Sequence, residues 1–277
     1  MSDPIVVGTD GSPDAGHAVT WAISWARAVD SPLRIIASEA VPPGRTADSP
    51  GLGEKARAAL DQELDRLRSA GVSGIEDFDT EALVAHPVSA LIAESQRAAA
   101  VVVGTRGSGA YQGGVIGSIS GAVAASAHCP TIVVPGSAPP QFDADGPIVV
   151  GFDGSEPALG AARLAISAAN AEGRTVRLVQ AEAGVTSPDE PLDDLVEQLR
   201  SEEADVEIEF INAAGSAVQA LTAESRDAAF VVMASQGHRG VPGFLLGSTT
   251  RALVQQANTP VIVLTARSEH RWPVRTR

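Results

Sequence analysis

Short runs of branched apolar residues alternate along the chain with longer stretches whose apolar positions recur at helical spacing. Ile5-Val6-Val7 is the first such run. It is β-branched, bounded by turn residues and apolar at every position, as a strand buried on both faces of a parallel sheet requires. Ser12-Pro13 then reads as a helix start, a capping hydroxyl followed by proline at the first helical position. Ala15, Ala18, Val19, Ala22, Ile23 and Ala26 line one face of that helix, with Trp21 and Trp25 on its flank, where packing is their expected role. The pattern continues with a strand over 33–40, a polar helix over 53–69 and a weaker strand near 77–83. A helix over 87–97, a strand over 100–104, a small-residue helix over 118–127 and a last strand over 131–134 complete it. Such alternation predicts an α/β fold with helices on both faces of a parallel sheet. Ligands of such sheets bind beyond the carboxyl ends of the strands, where the strand order reverses.

The whole pattern occurs twice. Pro4-Ile5-Val6-Val7-Gly8-Thr9-Asp10-Gly11-Ser12 returns as Pro147-Ile148-Val149-Val150-Gly151-Phe152-Asp153-Gly154-Ser155, and Ala93-Glu94-Ser95 as Ala223-Glu224-Ser225. Gly107, Gly117 and Ser118 find partners in Gly237, Gly247 and Ser248, and Pro130-x-Ile132-Val133 in Pro260-x-Ile262-Val263. Strands of the second copy are expected near Ile148, Val176, Val206, Phe230 and Val261. A period this long means duplicated domains rather than a solenoid. We therefore expect two tandem doubly wound, Rossmann-like domains, at 1–138 and 146–267, followed by a tail at 268–277. The register shifts from 143 between Asp10 and Asp153 to 130 between Gly107 and Gly237. The first copy thus holds 13 extra residues, expected in the loop over 42–53. Residues 136–146, with prolines, glycines and acids, read as a linker. The tail carries Arg267, Arg271, Arg275 and Arg277 around Trp272 and is expected to be a frayed terminus rather than a binding arm.

Charge and composition remove several classes of function. The net charge of −14 argues against nucleic acid and against anionic membrane surfaces as partners. No apolar run approaches the roughly 20 residues of a membrane span, and the N-terminus does not read as a signal peptide. A single cysteine, Cys129, cannot form an internal disulfide, which fits a reducing compartment, and the expected location is cytoplasmic.

The chemistry-bearing signal is Gly104-Thr105-Arg106-Gly107, nine further residues, then Gly117-Ser118. Glycines let main-chain amides approach a phosphate, and the helix that starts after Gly117 favours an anion at its N-terminus. The hydroxyls of Ser118 and Ser120 can add hydrogen bonds, and Arg106 supplies a cation. A glycine-rich surface turn is the plain alternative. The second copy reads Ala234-Ser235-Gln236-Gly237, nine residues, Gly247-Ser248. Its alanine would block close approach if the position needs a positive φ, with His238 and Arg239 as potential compensation. Asp10 and Asp153 follow the first strand of each copy, where a carboxylate could accept from a ribose hydroxyl or adenine amine, or simply form the turn and cap the helix. There is no Gly-x4-Gly-Lys-Ser/Thr loop, no Gly-x-Gly-x-x-Gly after the first strand and no Gly-x-Ser-x-Gly elbow. Histidines 17, 86, 128, 238 and 270 are scattered without ligand spacing. No catalytic apparatus is visible.

The Gly-x-Asp-Gly-Ser opening, the Gly-x2-Gly-x9-Gly-Ser loop and the closing Pro-x-Ile-Val-Val together resemble the universal stress protein family, in its ATP-binding branch. The resemblance covers about residues 4–135 and 147–265 and suggests a tandem member. It implies a five-stranded parallel sheet per domain, with ATP and Mg2+ at the carboxyl edge. Asp10 and the backbone near Val41 would contact adenine, and Gly104, Arg106, Gly107, Gly117, Ser118, Ile119 and Ser120 would line the ribose and phosphates. Gly8, Thr9 and Thr105 complete the candidate set in the first copy. In the second copy the matching positions are Gly151, Asp153, Ala234, Gly237, Gly247, Ser248, Thr249 and Thr250. Ala234, and Gly184 where the first copy has Val41, depart from the pattern. The resemblance also implies that the last strands pair, Ile132 facing Ile262, giving an intrachain pseudo-dimer that can itself form a homodimer. The function implied is that of a nucleotide-dependent stress or regulatory protein acting on a protein partner. A weak ATPase or nucleotidyl-transferring enzyme on the same fold, and a scaffold with empty sites, are the competing readings.

Overall fold

A computed structural model describes residues 3–107, 116–142, 145–183, 191–202, 205–237 and 246–268. The first half runs β1 (Ile5–Gly8), α1 (Pro13–Ala28), β2 (Leu33–Glu39), α2 (Glu54–Ser69), β3 (Asp79–Val84), α3 (Pro87–Glu94), β4 (Ala100–Gly104), α4 (Ser118–Ser126) and β5 (Thr131–Val134). The second runs β6 (Ile148–Gly151), α5 (Glu156–Glu172), β7 (Val176–Ala183), α6 (Leu192–Glu202), β8 (Ile208–Ser216), α7 (Ala217–Glu224), β9 (Phe230–Ala234), α8 (Ser248–Gln256) and β10 (Val261–Leu264).

The strands form one sheet in the order β3-β2-β1-β4-β5-β10-β9-β6-β7-β8. Each half is the expected parallel, doubly wound unit. The two meet at an antiparallel seam, where Ile132 lies opposite Ile262. The expected pairing of the last strands is therefore present. Alternate strand residues point to opposite faces. Ile5, Val7, Ile132 and Ile262 pack under α1, α2, α5 and α6, while Val6, Val101, Val133 and Val263 pack under α3, α4, α7 and α8. Both apolar layers run unbroken across the seam.

Local chemistry explains the element ends. Ser12 is extended (φ −72°, ψ 157°), and its hydroxyl accepts from the Ala15 amide ahead of Pro13, as the sequence predicts. Trp21 and Trp25 are buried, with ring centroids 5.5 Å apart, so packing is their role. Gly53, the residue before α2, gives it no side-chain cap; Glu39, at the end of β2, accepts from the amides of Gly53 (3.0 Å) and Lys55 (3.1 Å) instead.

Several expectations shift. The surplus of the first copy is not confined to its loop: α2 has 16 residues where α6 has 11, and a 3-10 turn at Ile75–Asp77 precedes β3. The strand expected near Val206 starts at Ile208. The linker is not a free tether. Ala138 is buried, its carbonyl lies 2.8 Å from His17 Nε2, and Phe142 donates its amide to Ser24 Oγ (3.1 Å). The Phe142 ring sits edge-on to Trp21 and stacks on Phe230 of the second half, with the Arg174 guanidinium 5.2 Å from its centroid. The repeat also continues beyond β10. The amide of Ser268 bonds to the Thr265 carbonyl (3.0 Å), as that of Ala138 bonds to Pro135 (3.0 Å), and Ser268 is buried. Residues 269–277 lie outside the described residues.

Cys129 is buried between α4 and β5, and burial pushes its thiol up to about 12. In the unfolded chain it ionises at the ordinary value, so its neutral form favours the fold below that value, and this contribution declines as pH rises toward 12. We expect iodoacetamide at pH 8 to alkylate the native protein far more slowly than the urea-unfolded chain; equal rates would contradict the burial.

Candidate functional site

The carboxyl ends of β1 and β4 lie side by side, because Ile5, Val6 and Val7 pair with Ala100, Val101 and Val102. This is where the strand order reverses, and both predicted loops leave the sheet here. Asp10 is exposed. Its Oδ1 accepts from the Ser12 amide (3.0 Å), so it does form the Asp-Gly-Ser turn, with Gly11 at φ +75°. Its Oδ2 lies 2.5 Å from where a Cβ on Gly107 would stand. The Asp10 loop and the β4 loop are thus in contact, and a side chain at Gly107 would push them apart. Asp153 meets Gly237 in the same way.

Gly104 has a different task from the one the motif suggests. Its φ is not positive, and a Cβ there would stand 2.7 Å from the Asp14 carbonyl oxygen in the first turn of α1. The missing side chain faces the helix, letting α1 lie close against β4. The condition under which Ala234 would spoil the second loop, a left-handed backbone, is therefore not met at Gly104. Gly8 is a packing glycine too, its absent Cβ facing Leu91 of α3 at 3.2 Å. Gly151 faces Met233 and Leu221.

The return of the loop is the same in both halves. The Gly117 amide bonds to the Thr105 carbonyl (2.8 Å), and the Gly247 amide to the Ser235 carbonyl (2.8 Å). Ser120 is buried and donates to the Gly104 carbonyl (2.6 Å); Thr250 donates to the Ala234 carbonyl (2.9 Å). These hydroxyl protons stitch each helix to its strand, which corrects the expectation that Ser120 is free to donate to a ligand. Ser118 and Ser248 remain exposed, and Ile119 and Thr249 are half-buried.

What the stitch leaves open is the first turn of α4 and α8. Ser12, His86, Ser155 and Ser216 cap α1, α3, α5 and α7 with side-chain atoms. Gly117 and Gly247 carry no such atom, and among the described residues no side chain accepts from the amides that follow them. Each helix start therefore presents unshared donors and the positive end of its dipole, an arrangement suited to an anion. Arg106 is exposed beside the first of these, and Gln236 is half-buried at the matching place beside the second.

Of the candidates in the first loop, Thr9 and Thr105 are buried anchors, held by partners that the motif did not single out. Thr9 is buried, its amide bonding to the Ile36 carbonyl (2.8 Å). Thr105 is buried and donates to Asp14 Oδ2 (3.0 Å). Gln62 of α2 donates to the Gly11 carbonyl (3.0 Å). The only legible sign of Asp14 was an acid in the first turn of a helix, which is common. Val41, just beyond β2, and Val84, the last residue of β3, are exposed apolar side chains. Thr105 and Arg106 also line a cleft of about 270 Å³ whose far wall is Val254 and Gln255 of α8. The first loop thus shares a cleft with the second half. Residues 108–115 and 238–245, including His238 and Arg239, lie outside the described residues, as does Gly184.

Among the described residues, no group of three or more His, Cys, Asp or Glu side chains could hold a metal ion, and no helix is long and apolar enough to cross a membrane. A universal stress protein of Mycobacterium tuberculosis is 29% identical over 299 residues, covering 94% of each chain. A second from that organism is 29% identical over 286 residues, covering 94% of this chain and 95% of the relative. Among solved structures, a universal stress protein from Archaeoglobus fulgidus aligns over 96% of this chain and 99% of its own, with a TM-score of 0.67 at 18% identity, a likeness of fold. The model of the universal stress protein family matches residues 1–135 and again 146–265, and the chain belongs to that family, as a tandem member.

Proposed function

We propose that the chain binds ATP at the carboxyl edge of β1 and β4, and more weakly at the matching edge of β6 and β9. Occupancy would regulate a protein partner rather than drive turnover. The observation that carries this reading is the uncapped first turn of α4, held against a loop that begins at the end of β4. A triphosphate supplies the acceptors those amides lack, and Mg2+ would arrive on the phosphates, which donate most of its oxygens. The exposed Asp10 carboxylate would accept from a ribose hydroxyl or adenine amine, and Val41 and Val84 offer apolar surface for a base. The cleft that Arg106 shares with Val254 and Gln255 of α8 would give occupancy of one half a route to the other.

Titration calorimetry with MgATP tests the reading through Ser118→Asp. An acid at the first position of α4 favours the helix itself but repels a polyphosphate. Affinity should fall by about tenfold or more, about 1.4 kcal/mol, while the melting temperature holds or rises. Ser248→Asp should leave the tighter site intact. No saturable heat with the parent protein at millimolar ATP would end the proposal. Steady phosphate release by the parent that Ser118→Asp abolishes would favour an ATPase instead.

A further inference from the structure

The turn that carries Asp10 is gripped from outside its own loop. In a trans peptide the carbonyl and the amide point in opposite directions, and the peptide joining Gly11 to Ser12 uses both. Its amide donates to Asp10 Oδ1 (3.0 Å), and its carbonyl accepts from Gln62 Nε2 (3.0 Å). Gln62 thus holds the far side of the same plane that holds the carboxylate. Gly11 stands at φ +75°, and a Cβ there would come 3.1 Å from Gln62 Oε1, so the glycine lets the side chain lie against the turn.

Gln62 has a firm base. Ala56, Leu60 and Leu67 bury one face of α2. Next to Gln62, Glu63 is buried and pairs with Arg66 (2.5 Å). The Arg66 guanidinium donates to the Gly16 carbonyl (2.8 Å) and to Thr20 Oγ1 (3.0 Å), both in α1. The helix that carries the glutamine is therefore fixed to the helix that the Asp10 turn opens.

The second half supplies a comparison. Arg163 is the mate of Thr20 at the register of 143, and it meets Glu202 (3.1 Å) as Thr20 meets Arg66. Glu202 of α6 thus stands in the place of Arg66, and a glutamine lies four residues before each, Gln198 and Gln62. Gln198 donates to Glu202 Oε1 (2.9 Å), inside its own helix. Gly154 repeats the φ of +75°, but Asp153 Oδ1 accepts from both the amide (3.1 Å) and the hydroxyl of Ser155. The first turn is tied to α2, the second to its own helix cap.

We propose that Gln62 is a positioning residue for the nucleotide of the first site. It acts through Gly11: fixing that peptide plane holds the Asp10 carboxylate in place before a ribose or adenine arrives, which lowers the ordering cost of binding. Gln198, bonded within α6, has no such part. The inference rests on the binding proposal and gives a reason within the chain for the first site to be the tighter.

The test compares Gln62→Met, which keeps the length and removes the donor, with Gln62→Lys, which restores a donor, and with Gln198→Met. In the ligand-free protein the Ser12 amide should exchange about threefold faster or more in Gln62→Met, and slowly again in Gln62→Lys. Titration with MgATP should show the tighter affinity of Gln62→Met falling about threefold to tenfold, with the melting temperature unchanged. Gln198→Met should alter neither reading. An equal loss in Gln198→Met would overturn the proposal, as would weaker binding with Ser12 exchanging as before. If the parent binds no MgATP, the role falls together with the binding proposal; if parent and Gln62→Met bind alike, the role alone falls.

Discussion

Ile262→Asp is expected to remove most of the folding free energy of the molecule. Ile262 has no exposed surface and stands opposite Ile132 at the seam, under helices from both halves. Losing the side chain forfeits about 1.5–3 kcal/mol of burial. A carboxylate left without a partner adds several kcal/mol more, against domain stabilities of about 5–15 kcal/mol. Urea unfolding followed by circular dichroism should show a large fall in midpoint, and the two halves should no longer melt together. Ile262→Val, costing about 0.5–1.5 kcal/mol, is the control. If the aspartate behaves like the valine, the sheet does not continue through β5 and β10.

Gly104→Val should give the second largest effect, and the reason bears on what the motif means. The added Cβ would stand 2.7 Å from a carbonyl oxygen and 2.9 Å from a carbonyl carbon, both in the backbone of Asp14, so the helix itself must move. Overpacking of this kind costs about 1–3 kcal/mol. Ala234→Gly in the second half should change stability by no more than about 1 kcal/mol, since a packing position there already accommodates a methyl. Thermal melts of the two variants beside MgATP titrations separate the roles. Lost binding with unchanged stability in Gly104→Val would mean that this glycine serves the ligand rather than the helix.

The fold was legible because its signals are repeated and local. Ile5-Val6-Val7 and Ile148-Val149-Val150 suit strands buried on both faces, and Ser12-Pro13 marks a helix start, whereas the seam of Ile132 and Ile262 was implied by the family resemblance and not by the repeat itself. The division of labour within the loops was not legible, because a glycine that admits a helix and a glycine that admits a phosphate are the same letter. Gly104 and Gly8 turned out to face α1 and α3, and the hydroxyl of Ser120 turned inward to its own strand. The surplus of the first copy was placed wholly in a loop because helix lengths are hard to compare when α2 and α6 share so little sequence.

Some long-range contacts are marked in the sequence by matched charged positions. Arg34 and Arg177 match at the register of 143, and Glu94 and Glu224 at 130. Each arginine reaches its glutamate (3.0 and 3.2 Å) and acids on the neighbouring strand, so two matched positions marked an ion-pair cluster kept in both halves. Phe142 and Ala138 lay in a stretch read as a linker from its prolines and glycines, and only the third dimension shows them packed on α1.

The central claim is that the first-turn amides of α4 receive the triphosphate, and hydrogen exchange of those amides tests it most directly. On adding MgATP, the amides of Ser118, Ile119 and Ser120 should gain strong protection, with a smaller gain at Ser248, Thr249 and Thr250. Saturable binding that leaves all six exchanging as before would contradict the account.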